Sequence, residues 1–187
     1  MISYSFVESE NKTIAMIKLF RRSKIKEDKV AAVFVDHFLE TIDNGFPEVA
    51  AIVNESPEFV ECPNIDPNDS DRFLLIALAA NLKEMQRNVD SHSDQVLFRK
   101  ILEKISEACN VEYAALSITI DKSQSLISRV NHPSKNLVYG MSKAFFHKYN
   151  LNQFQEDYFK NVNSPNPVFL KRLDDTVVHF MWNWDEI

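Results

Sequence analysis

Glycine occurs twice in this chain of 187 residues, at Gly45 and Gly140, and that scarcity narrows the fold more than any residue present. Glycine lets a backbone adopt positive φ or approach a phosphate closely. Dinucleotide-binding and P-loop motifs both need clustered glycines, and two placed far apart write neither. Hairpins and many-stranded sandwiches lose their usual punctuation for the same reason. Asn, Lys, Ile and Phe are plentiful, so genomic base composition contributes to the low glycine usage. That weakens an inference from percentages and leaves one from missing motifs intact. The expectation is an all-α protein.

A chain of this length suits one domain over residues 1–187. Such a domain buries roughly 70% of its unfolded surface, so it folds without a metal or a disulfide, and fourteen Phe are available to fill its core. The longest apolar run, Phe73 to Ala80, has eight residues. A membrane span needs about 20, so the run reads as a buried helix at the centre of the fold. The N-terminus lacks the apolar core of a signal peptide, and Glu8 and Glu10 oppose a transit peptide. Cys62 and Cys109 stand alone, without a CxxC. Two reduced thiols in a cytoplasmic setting are the preferred reading.

Apolar spacing lays out the elements. Ile2, Tyr4 and Phe6 alternate, which fits an extended arm over 1–11. Thr13 caps a helix to about Arg22, and a second helix covers roughly 27 to 43, with Ala31, Phe34, Val35, Phe38 and Ile42 on one face. Asn44-Gly45 reads as a helix terminator, and Phe46-Pro47 as the start of a shorter helix through Asn54. Helices are also expected to end near Asn88 and near Cys109, the latter after a cap at Ser91-His92-Ser93. Others are expected over 111–131, 135–149 and 152–161. Asn166-Pro167 opens the last one, whose stripe runs Leu170, Leu173, Val177, Phe180, Met181, Trp184. The sum is a single irregular bundle of seven or eight helices.

Charge is segregated. Residues 12–29 hold Lys12, Lys18, Arg21, Arg22, Lys24, Lys26 and Lys29 against Glu27 and Asp28, whereas residues 30–71 hold ten acids and no Lys or Arg. The balanced reading lays the basic segment against the chain's own acid-rich 36–71 region. Its functional alternative is an anionic surface or an acidic partner. The net charge of −6 disfavours general nucleic-acid binding.

The histidines His37, His92, His132, His147 and His179 write no HExxH and no Glu-x-x-His element. Asp36-His37-x-x-Glu40 supplies two or three groups on one helix and reads as an imidazole beside acids. His179, four residues from Asp175, reads as a solvent-face pair. Asp66 to Asp71 imitates a calcium loop but puts Asp71 where glycine is needed and Ala77 where glutamate is needed. Those carboxylates read as capping groups for the next helix. Neither a metal nor a cofactor is expected.

The leading expectation is a non-catalytic interaction protein, an adaptor, regulator or assembly subunit. It would engage a protein partner through Lys18, Arg21, Arg22, Lys24, Lys26 and Trp182. Two alternatives stay open. One is a helical enzyme or cofactor bundle with a site assembled from distant helices, such as His37 and His147 with a carboxylate. The other is an anionic-surface or nucleic-acid-linked regulator using residues 12–29. Homo-oligomerisation is also open.

Overall fold

The computed structural model describes residues 4–88 and 93–184, with side chains over 26–88 and 94–184. Within them the chain is an all-α helical bundle of seven α-helices and two 3-10 turns, without a strand. The helices are α1 (Tyr4–Asn54), α2 (Asp71–Asn88), α3 (Ser93–Ala108), α4 (Tyr113–Asn131), α5 (Leu137–Lys148), α6 (Asp157–Val162) and α7 (Pro167–Val177). The cap expected at Ser91-His92 lies outside the described residues. So do the first residues of the arm expected over 1–11, which is helical from Tyr4 onward.

One helix replaces the three expected before Asn54. α1 runs 51 residues with Pro47 inside it, a length of about 76 Å at ~1.5 Å per residue. Asn44-Gly45 does not end it, because glycine there serves a packing contact. A Cβ on Gly45 would lie 2.7 Å from Phe180 Cζ and 2.9 Å from Cε1, so only glycine lets that ring approach. Pro47 cannot donate to the helical ladder, at a cost of about 3 kcal/mol. Against that, continuing in register buries Phe46, Val49 and Val53 completely, each worth about 1.5–3 kcal/mol. Burial wins, and the helix continues.

The continuous α1 also rules out part of the expected fold-back of the basic segment. Residues 12–29 and the acids Asp36, Glu40, Asp43 and Glu48 lie along one rod, so these four acids cannot fold back onto that segment. Asp28, an acid of the basic half, pairs with Lys104 of α3 at 3.4 Å.

α2 is the central element. Phe73, Ile76, Ala77, Leu78, Ala79, Ala80, Leu82 and Met85 are buried on all sides, as the apolar run predicts. It packs against α4 and α5, while α1 packs against α3 and α7. α4 is a regular helix, which resolves the segment 111–131. The expected helix over 152–161 divides into a 3-10 turn, Leu151–Phe154, and α6. Asp66 does not cap α2; its Oδ1 accepts from the backbone N–H of Asn68 at 2.9 Å and closes a local turn.

The last helix also stops early. α7 ends at Val177, a 3-10 turn covers Val178–Phe180, and Met181 is extended with φ −91° and ψ 126°. Phe180 and Trp184 are still buried, at 5% and 3% exposure. They reach the core from an irregular segment rather than from one helical stripe.

Candidate interaction surface at the C-terminal segment

The segment after α7 is held by a buried amide that sequence reading did not single out. Asn81, in the middle of α2, is fully buried. Its Nδ2 donates to the carbonyl of Ala77 at 2.9 Å and to that of Phe180 at 2.8 Å. Its Oδ1 accepts from the backbone N–H of Trp182 at 2.7 Å. One side chain thus satisfies both backbone groups flanking Met181. A lone amide within a run from Phe73 to Leu82 was the available signal, since buried polar groups persist only where they are hydrogen-bonded.

That clamp fixes two indoles on α1. Trp182 meets Phe34 edge-on at 5.7 Å between ring centroids and the His37 ring at 5.4 Å. Trp184 lies tilted on Phe34 at 4.9 Å. Trp182 is half-buried and Trp184 buried, the order expected from sequence. The Nε1 groups of both are buried without a hydrogen-bond partner, although such donors usually find one.

On one side of the indoles lies a groove of about 360 Å³, lined by Arg87, Lys135, Asn136, Met181, Trp182 and Trp184 among others. Arg87 pairs with Glu84 at 3.1 Å on its rim. On the other side, His37, Thr41, His179 and Trp182 line a cleft of about 30 Å³, room for about one or two waters. The hydroxyl of Thr41 donates to the His37 carbonyl at 2.8 Å. His37 and His179 therefore share a cleft, whereas His147 is not among the described residues lining it. His147 sits half-buried beside Phe146, and burial, then Lys143 and Arg129, push its pKa down. His132 is exposed at the end of α4. Among the described residues no group of three or more His, Cys, Asp or Glu is placed to hold a metal.

A second groove, of about 290 Å³, lies between α5 and α7 and includes Tyr139, Leu170, Lys171 and Asp174. Asp174 Oδ1 is buried there, and Ser142 Oγ is buried on α5, each without a partner at hydrogen-bond geometry. Burial raises the Asp174 pKa, opposed by the nearby Ser142 hydroxyl and Lys171 and reinforced by Asp175.

Of the remaining residues expected at an interface, Lys26 is exposed on α1. The side chains of Lys18, Arg21, Arg22 and Lys24, and all of His92, lie outside the described residues. No helix among the described residues is long and apolar enough to cross a membrane. Compared with known proteins, the chain matches no family model, no curated protein and no solved structure.

Proposed function

We propose that this is a non-catalytic interaction protein, an adaptor, regulator or assembly subunit, which engages a protein partner at the groove beside Trp182. The observation that carries the reading is the groove of about 360 Å³ that brings half-buried Trp182 together with Arg87 and Lys135. Arg87 and Lys135 at the same groove favour a carboxylate or backbone carbonyls from an acidic segment. Trp and Arg are also the residues most enriched at interface hot spots. The exposed, unpaired Cys62 and Cys109 support a reducing, cytoplasmic setting.

Selection of a random displayed-peptide library on the immobilised full chain tests the reading. The expected outcome is enrichment of peptides that pair an acidic residue with an apolar one. Trp182→Ala should then weaken their binding by about 30-fold, a hot-spot loss of about 2 kcal/mol. No enrichment, or binding indifferent to both Trp182→Ala and Arg87→Ala, overturns it.

A further inference from the structure

The face of α1 turned away from the core carries its charges in mirrored order. Val33, 59% exposed, marks the centre. Lys29 and Lys26 precede it by four and seven positions, and Asp36, Glu40 and Asp43 follow it by three, seven and ten. At about 100° per residue these positions share less than a third of the helix circumference. That sector lies opposite the buried stripe of Ala31, Phe38 and Ile42. Lys26, Lys29, Asp36, Glu40 and Asp43 are exposed, and among the described residues none of the five forms an ion pair. Within α1 their neighbours at helical spacing carry the same sign, so the helix alone offers them repulsion.

A stripe that runs from basic to acidic through an apolar centre is complementary to itself when one copy is reversed. We propose that a second copy of this chain docks antiparallel along this face of α1, on a two-fold axis through Val33. In that register Lys26 of one copy meets Glu40 of the other and Lys29 meets Asp36, each pair occurring twice. The contact is isologous and closes at two copies. Val33 against Val33 supplies a small apolar centre. The attraction is carried by solvent-facing charges, so salt screens it.

Sedimentation equilibrium of the full chain tests the register. The expected result is a dimer at about 0.02 M salt that dissociates at about 0.5 M. Lys26→Glu and Glu40→Lys each weaken the dimer at least tenfold, while circular dichroism shows the helical content unchanged. Mixing the two variants restores association, because every reversed charge then faces its opposite. Three outcomes overturn the proposal: a monomer at both salt concentrations, a dimer unmoved by either reversal, or a mixture no tighter than its components. A low-salt monomer that binds phosphatidylserine vesicles also overturns it and gives the basic half to a membrane surface. Neither Lys26 nor Glu40 is among the described residues lining the Trp182 groove, so peptide binding and dimerisation fail independently.

Discussion

Asn64, Asn110, Asn150 and Asn163 hold the backbone in the left-handed region, with φ of 54°, 51°, 53° and 48°. The short polar side chain of Asn tolerates that region better than other non-glycine residues, so a chain almost without glycine turns its corners on asparagine. Buried and half-buried amides also fasten its loops. Asn54 exchanges two hydrogen bonds of 2.8 Å with the backbone of Ile65. Gln155, fully buried, donates to the Ser164 carbonyl at 2.9 Å and accepts from the Asn166 N–H at 2.7 Å. Asn81 performs the same task for the C-terminal segment. Replacing it with Leu, similar in size, strands the Phe180 carbonyl and the Trp182 N–H in the interior. Asn81→Leu is expected to lower unfolding free energy by about 2–4 kcal/mol and to red-shift tryptophan emission as Trp182 gains water. Urea unfolding followed by fluorescence measures both; a variant as stable as the parent, with unshifted emission, removes the clamp from the account.

At the scale of elements, α1 and the segment after α7 define one another. Gly45 admits the Phe180 ring, which in turn stands edge-on to Phe73 at 4.8 Å. Gly45→Ala gains about 1 kcal/mol of helix propensity, but the crowding of an unyielding ring end costs about 1–3 kcal/mol. The net change is expected to be destabilising. In a Phe180→Leu background the crowded atoms are gone, so the same substitution is expected to stabilise. A double-mutant cycle on thermal melts reads this reversal of sign; equal effects in both backgrounds refute the contact. The stripe Ala31, Phe34, Val35, Phe38, Ile42 was legible because helical spacing records which face is buried. The false stop at Asn44-Gly45 had a physical source as well. Local punctuation speaks for the backbone's own preference, and here a ring from the far end of the chain overrides it. The groove was legible only through Trp182. Arg87 and Lys135 join it from other elements, Asn81 holds its C-terminal wall from within α2, and no spacing along the chain encodes a convergence made by packing.

For the whole molecule, two half-buried titrating groups tilt stability with pH in opposite directions. His147 has its pKa lowered from 6.5 by burial first, then by Lys143 and Arg129. The unfolded chain therefore takes up that proton before the folded one, and stability is lost as pH falls through the window below 6.5. Asp174 has its pKa raised from 3.8, chiefly by burial. The folded chain holds this proton more tightly, so its contribution is full below 3.8 and is lost as pH rises through the raised value. Above that raised value the fold carries a charged Asp174 carboxylate whose Oδ1 is buried without a partner at hydrogen-bond geometry. Asp174→Asn is expected to raise the melting temperature at neutral pH, with the gain shrinking toward zero as the pH drops below 3.8. His147→Gln is expected to leave neutral stability nearly unchanged and to flatten the decline just below pH 6.5. Scanning calorimetry of both variants across that range separates the two. A gain for Asp174→Asn that persists undiminished at the acid end means that the amide improves packing rather than removing a buried charge.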